Sequence, residues 1–368
     1  MAALPASVTE SQTVTAIYSW WEGKLEKPRA YLGASAIGRE CERELWFGFR
    51  WSGTAKQPWS GRMLRLFNRG HREEPVFTEE LRGIGCDVRD VDPGTGEQFR
   101  FKAVGGHFGC GLDGVALGVP EAPKTWHLLE YKTAGAKPFA VLKKDGVAKA
   151  KPEHFAQMQV NMKLSDLTRA LYLVVNKDTD ELYAERVRFD EVEAARALTK
   201  AERVIYSPEP LGRLSEDPSF WKCKGCAMAS VCHGTALPPV SCRTCVHATP
   251  EPDGDGRWSC GWWKDDAGKP STIPLDAQAQ GCDQHRYIPA LLAKWGEAID
   301  ASEQENWIEY RAADGLVFRN GAWAPGSYTS RELAACATPA VLRDAQFLAI
   351  RDKYQGDAQI AGYEKEAA

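Results

Sequence analysis

The chain has 368 residues, with 46 Lys and Arg against 50 Asp and Glu, a net charge of −4. At ~150 residues per domain that length implies two to three domains with ample core. Hydrophobic residues make up 43% and charged residues 26%, which excludes a disordered or collagen-like chain, and the near-neutral balance excludes a histone-like polycation while leaving room for a local basic groove. No apolar stretch approaches the ~20 residues of a membrane span; the best run is Ala170–Val175. The opening MAALPASVTE lacks the basic end and apolar stretch of a signal peptide, so a cytoplasmic setting is expected. In a reducing compartment, eleven cysteines call for metal or cluster ligation rather than disulfides.

Residues 1–60 carry short helical and turn signals and many aromatics. The pattern then predicts a helix over 61–83 with Leu64, Phe67, Val76, Phe77 and Leu81 inward. Arg62, Arg65, Arg69 and Arg72 share one face of it, either solvated or turned to phosphate. Strands are predicted at Gln98–Val104, Leu112–Val119 and Trp126–Thr133, a helix at Pro152–Leu164, strands at Arg169–Asn176 and Glu181–Phe189, and an amphipathic helix at Asp190–Tyr206. Together these form a mixed α/β core. Composition shifts after Pro208, and LPPV at 237–240 reads as a linker. Residues 241–288 are rich in Gly, Asp, Trp and Cys with little periodicity, and 289–368 return to helical patterning before the polar tail GYEKEAA. The expected domains are 1–236, a module at 241–288, and a helical region at 289–368. There is no internal repeat.

Asp113 stands at the start of one strand, and Glu130 and Lys132 lie within the apolar strand WHLLEYKT. Residues two apart on a strand share a face, so Glu130 and Lys132 point one way and Leu129 and Tyr131 the other. Buried charge of this kind needs a partner. One partner is a divalent cation shared with Asp113, since two hard carboxylates suit Mg²⁺ or Mn²⁺; Lys132 then orients or deprotonates the attacking water. The other reading is an ordinary Glu–Lys pair. The lysines that follow, Lys137, Lys143, Lys144, Lys149 and Lys151, either neutralise phosphates or belong to a solvated loop.

The stretch GGHFGCGLDGVALG…WHLLEYKT resembles the PD-(D/E)XK nuclease superfamily. HFAQMQVNMKL…RALYLVVNK resembles the Gln-containing helix and following strand of YqaJ-type viral recombinases and RecB-like nucleases, and GHREEP resembles their Gly-xxx-Glu-Pro helix. The resemblance covers roughly residues 35–235. It implies a restriction-endonuclease-like core, a mixed central sheet flanked by helices. By motif position it places Glu74 and Gln157 near the metal centre; Gln159 points ~200° away on the helix. Leu112 stands where a Pro often precedes the motif Asp, and Asn161 where the Gln motif often has Tyr. His71 and His107 flank motif residues, as extra ligands or simple hydrogen-bonded histidines. The resemblance implies a DNA exonuclease of phage-type recombination, replication or repair, with DNA as partner and a recombination or replication protein as a candidate second one. The other class of reading is a catalytically weak DNA- or protein-binding platform.

Cys223-x2-Cys226-x5-Cys232 supplies three thiolates, suited to Zn²⁺ or an iron–sulfur cluster, and Cys41 is the best remote fourth ligand. One Cys before the core and three after it resembles the CRISPR-associated Fe–S exonucleases and the AddB-type nuclease domain, where a 4Fe–4S cluster staples the domain. Zinc at the same thiolates, or His233 in place of Cys41, are the alternatives. Such a staple closes a loop of about 180 residues and constrains the unfolded chain. Cys242-x2-Cys245, Cys260 and Cys282-x2-His285 form a second set, a zinc signal assigned to Cys242, Cys245, Cys260 and Cys282 with His285 or His247 as substitutes. Trp258, Trp262 and Trp263 either stack on unpaired bases or pack around the zinc. Cys86, Cys110 and Cys336 read as buried thiols.

Overall fold

A computed structural model of the chain describes residues 11–24, 29–53, 59–336 and 338–354; the polar tail at 362–368 lies outside the described residues. In chain order, α1 (Gln12–Glu22), β1 (Leu32–Gly33), α2 (Ala34–Ile37), α3 (Glu42–Phe49) and α4 (Gly61–Gly83) precede the strands β2 (Asp87–Arg89), β3 (Arg100–Ala103), β4 (Phe108–Gly111), β5 (Gly114–Leu117) and β6 (His127–Ala134). Two helices, α5 (Ala136–Ala150) and α6 (Pro152–Ser165), cross to β7 (Arg169–Asn176), β8 (Leu182–Arg188) and α7 (Glu191–Tyr206).

The local signals act as expected. Ser60 caps α4 by accepting from the Met63 amide, and Asp190 caps α7 by accepting from Val192 and Glu193. Pro152 starts α6, and Asp166 ends it in the left-handed conformation at φ 56°. The main sheet runs β2-β5-β6-β7-β8. Within that sheet only β6 and β7 pair in parallel, which the helical crossover between them permits. Strand alternation divides β6 between two cores: Leu128 joins the larger one, while Leu129 and Tyr131 pack with Phe77 and Leu81 of α4. The result is a mixed α/β layer structure, as the patterning predicted.

Several expectations need correction. Phe67 and Val76, expected inward, are 41% and 45% exposed. Only the second half of α4 lies on the sheet; its first half runs alongside α1. The lysine-rich stretch after the motif strand is not a loop but α5, kinked where Gly146 takes φ 71° and anchored by Phe139, Leu142 and Val147. Residues 241–288 contain a three-stranded sheet of their own, ordered β11-β10-β9, from β9 (Ala248–Pro250), β10 (Trp258–Lys264) and β11 (Pro270–Thr272). The region 289–368, expected to be helical, holds a four-stranded sheet of β12 (Glu297–Ser302), β13 (Trp307–Arg311), β14 (Val317–Asn320) and β15 (Ser327–Tyr328). Period-2 burial of Ile308 and Tyr310 on β13 and the Glu309–Arg319 pair across to β14 explain that outcome. These strands are too short for their alternation to stand out from helical spacing.

One apolar core runs from Phe49 through Trp258, Tyr287 and Tyr310 to Leu342. Trp258, fully buried, packs its ring 5.4 Å from Phe49 and 5.9 Å from His107. It is therefore no stacking platform for bases; of the three tryptophans named for that role, Trp263 alone is mostly exposed. The segment 237–240 is pinned as well, with the Pro238 carbonyl accepting from the Tyr287 hydroxyl at 2.7 Å. Trp258→Ala is expected to cost about 3–5 kcal/mol of stability. Because the cavity opens where N- and C-terminal halves meet, denaturant unfolding followed by near- and far-ultraviolet circular dichroism should shift as one transition. Independent shifts of the two signals would contradict this.

Candidate active site

The antiparallel register pairs Gly114 with Leu129, so Asp113 comes opposite Glu130. The Asp113 Oδ2 accepts from the Tyr131 amide at 2.8 Å. Glu130 is 1% exposed. Lys132 Nζ donates to its Oε1, and Gln157 Nε2 donates to its Oε2 at 3.1 Å. Glu74 stands on α4 and accepts from His71 Nδ1 at 3.0 Å. Strand alternation thus aims Glu130 and Lys132 toward α6, and α6 returns Gln157 to them. Gln159 points elsewhere, donating to the Arg188 carbonyl and accepting from the Asp190 amide.

The charges on these groups are coupled. Burial raises the Glu130 carboxyl to about 7; Lys132 opposes the rise, and the Asp113 and Glu74 carboxylates reinforce it. Burial alone pulls Lys132 down, but Glu130, Asp113 and Glu74 together leave its ammonium raised. Glu74 is raised by burial and by Asp113, with His71 acting against both. Among the described residues, no three His, Cys, Asp or Glu side chains form a ready-made metal cage. The donor chemistry nevertheless suits a hard cation: carboxylates at Asp113 and Glu130, with Glu74 near enough to feel Asp113.

Lys132, Glu74 and His71 open onto a cleft of about 940 Å³. Its walls carry Lys24, Arg29, Lys151 and Lys177 besides Lys132, against two carboxylates, Glu73 and Glu74. A chain with net negative charge therefore has a cation-rich groove at this site. The aromatics Trp21, Trp59 and Phe67 line the same groove. His154 lines it too, its ring bonded to the Tyr172 hydroxyl at 2.6 Å and depressed to about 3 by burial, Lys132 and Lys151. Sequence reasoning missed Trp21, Lys24, Arg29, Trp59 and His154. Each is a common residue without a motif of its own, and only folding brings them together. Of the arginine stripe, Arg69 donates to the Lys177 carbonyl at the cleft wall, while Arg62, Arg65 and Arg72 are exposed. His107 lies away from the site, buried among aromatic rings with Nε2 on the Glu251 carbonyl.

All eleven cysteines are free thiols. Cys41 is the N-cap of α3, Cys223 lies in α8 (Trp221–Lys224), Cys232 ends α9 (Ala229–Cys232), and Cys226 lies between the two helices. Burial raises Cys223 and Cys226, and each is raised further by the charges of Cys41 and Cys232. Cys242, Cys245, Cys260 and Cys282 line one cavity of about 290 Å³ together with His247 and His285. Burial pushes Cys242 up to about 11 and Cys245 up to about 12. Cys86, Cys110 and Cys336 are buried apart from both groups.

No protein-family model matches the chain, and no curated protein matches it. Among solved structures it is similar to the crystal structure of SSO0001, at TM-score 0.39 and 13% identity over 60% of this chain and 96% of that one. It is also similar to LHK-Exo in complex with dAMP, at TM-score 0.36 and 20% identity over 50% of this chain and 89% of that one. A further crystal structure of LHK-Exo, an alkaline exonuclease from Laribacter hongkongensis, is similar at TM-score 0.33 and 18% identity, with 50% and 89% covered.

A divalent cation would bind Glu130 only in its ionised form, and burial raises that carboxyl to about 7. The sign follows: protons compete below that value and not above it. Mn²⁺ affinity measured by calorimetry is expected to be level above neutral pH and to fall by about tenfold per unit below it. An affinity unchanged across about pH 6 to 8 would show that Glu130 is not a ligand.

Proposed function

We propose that the chain is a Mg²⁺- or Mn²⁺-dependent DNA nuclease of the PD-(D/E)XK type. The observation that carries this is the meeting of Asp113, Glu130 and Lys132 across paired strands, with Gln157 on Glu130, beside a cation-rich cleft. Asp113 and Glu130 would hold the metal, with Glu74 beside them. When bound, it supplies Lewis-acid polarisation of a phosphate and a water of lowered pKa. Gln157 fixes the rotamer of Glu130. Lys132, kept cationic by three carboxylates, donates hydrogen bonds; it orients the attacking water and meets charge developing on the phosphate. Lys24, Arg29, Lys151 and Lys177 hold the DNA backbone.

We further infer two structural metal sites. Cys41, Cys223, Cys226 and Cys232 would hold a 4Fe–4S cluster, with zinc as the alternative. Around them Arg203 pairs with Glu42 at 2.5 Å and Arg43 donates to the Leu211 carbonyl at 2.7 Å, so the two ends of the nuclease region are already tied there. Cys242, Cys245, Cys260 and Cys282 would hold zinc. A second reading, a DNA-binding platform without strong catalysis, draws on one specific feature: both Glu130 oxygens are already engaged by Lys132 and Gln157.

End-labelled single- and double-stranded DNA separates the two readings. Cleavage with Mg²⁺ and none with EDTA is expected; binding without cleavage supports the platform. Lys132→Ala should leave folding and DNA binding nearly intact while cutting cleavage by about 10²-fold or more. Near-normal cleavage by that variant would remove Lys132 from the chemistry. Anaerobically purified protein should absorb broadly near ~400 nm and carry about four irons per chain, both lost in Cys41→Ala. Zinc alone, at about two per chain, would make the first cysteine group a zinc site.

A further inference from the structure

His154 lines the cleft but takes no part in holding Glu130. It is the third residue of α6, three positions before Gln157, so the two share one face of the helix. Gln157 uses that face to reach Glu130, at 3.1 Å. His154 uses it to reach Tyr172 of β7, whose hydroxyl lies 2.6 Å from Nδ1. In the parallel register Tyr172 pairs with Glu130 and Val174 with Lys132, and side chains in register point to one face of a sheet. The imidazole therefore stands over the same face as Glu130 and Lys132, at the wall of the cleft that it lines together with Lys132 and Lys151.

The position of one hydrogen follows from these neighbours. Tyr172 is 1% exposed, so its hydroxyl proton needs an acceptor inside the protein. Among the described residues, the one polar atom bonded to that hydroxyl is His154 Nδ1. Tyr172 therefore donates and Nδ1 accepts, which places the hydrogen of the neutral ring on Nε2. The ring stays neutral: burial, and then the Lys132 and Lys151 ammoniums, oppose a second proton. The positive end of the α6 dipole acts the same way. Among the described residues Nε2 has no hydrogen-bond partner, and it is not sealed from solvent. A donor without a protein acceptor thus sits in a cation-rich groove beside Lys132. The opposite tautomer would turn a lone pair toward a phosphate and repel it.

We propose that His154 is a further catalytic residue of this site, a neutral donor whose Nε2–H bonds a non-bridging oxygen of the phosphate under attack, and that Tyr172 positions it by fixing the tautomer. The inference rests on the nuclease reading above and adds a residue to it. No proton is transferred in this role; the bond strengthens as negative charge grows on the phosphate oxygens. A neutral N–H supplies a directed donor without adding a third cation to the repulsion between Lys132 and Lys151. Tyr172 touches His154 and not the substrate, so it is a positioning residue.

Nitrogen NMR of the full-length chain, labelled at histidine and assigned by loss of the signal in His154→Gln, reads the tautomer. Near neutral pH the expected state is Nε2–H with Nδ1 accepting, and Tyr172→Phe should turn it into a mixture. A hydrogen on Nδ1, or a doubly protonated ring, overturns the inference; an unchanged tautomer in Tyr172→Phe removes the positioning role of Tyr172. Cleavage of end-labelled DNA with Mg²⁺ reads the chemistry. His154→Ala should lower kcat by about 10²-fold while KM changes by no more than about twofold. His154→Gln, which keeps a neutral N–H, should recover part of the loss. If His154 served only to satisfy the Tyr172 hydroxyl, removing both groups in His154→Ala/Tyr172→Phe would restore cleavage; the double variant is expected to stay as slow as His154→Ala. Should His154→Ala fail to fold, His154→Phe, a ring without an N–H, takes its place in both comparisons. A restored double variant, or normal kcat in a folded single variant, refutes the role of His154 and leaves the nuclease reading standing. A wild-type chain that cleaves no DNA with Mg²⁺ or Mn²⁺ removes both.

Discussion

Charge held away from water is the constraint around which this molecule is arranged. At the centre of the main sheet, Glu130 lies in an apolar strand with almost no solvent. It is tolerable there only because Lys132 and Gln157 engage both oxygens. Glu130, Asp113 and Glu74 together also keep Lys132 charged. Removing either member of the pair would leave a stranded charge, so the group stands as a unit whose parts come from β5, β6, α4 and α6. Those are also the elements that meet at the sheet's core.

A second concentration of buried charge lies where the N-terminal α/β layer meets the C-terminal sheets. Arg50 at the end of α3 and Arg243 beside the second cysteine group share the Trp258 ring. Arg243 reaches back to carbonyls at Phe49 and Ala30, joining segments nearly two hundred residues apart. With the continuous apolar core from Phe49 to Leu342, these contacts make the cysteine-rich region part of the same folded body as the cleft. Its metal, in the proposed reading, would then bear on the stability of the whole chain rather than on a tethered appendage.

The cleft shows how a weakly acidic chain can carry a locally cationic groove. Its cations come from the segment after α1, from the loop before β1, and from the ends of β6, α5 and β7, each of which would pass for an ordinary surface lysine or arginine. Aromatic side chains at Trp21, Trp59 and Phe67 add flat apolar surface to the same wall. Fields add over the wall of a groove, so the local sign departs from that of the whole chain.

The sequence by itself determined the elements whose signals are local. The caps at Ser60 and Asp190 and the Pro152 start bounded α4, α7 and α6 to within a residue or two, and period-2 alternation placed Glu130 and Lys132 on one face and Leu129 and Tyr131 on the other. It also marked the local pairs Cys223-x2-Cys226 and Cys242-x2-Cys245, because that spacing is a short-range property. Tertiary structure alone decided what depends on closure. It paired Asp113 with Glu130 through strand register and buried Trp258, Arg50 and Arg243. It made α5 of a lysine-rich stretch and a four-stranded sheet of a region whose short apolar runs read as helical. The division has one physical cause: periodicity and capping are settled among residues a few positions apart, whereas burial of a charge, register across strands and the lining of a groove are settled by which distant segments exclude water from one another.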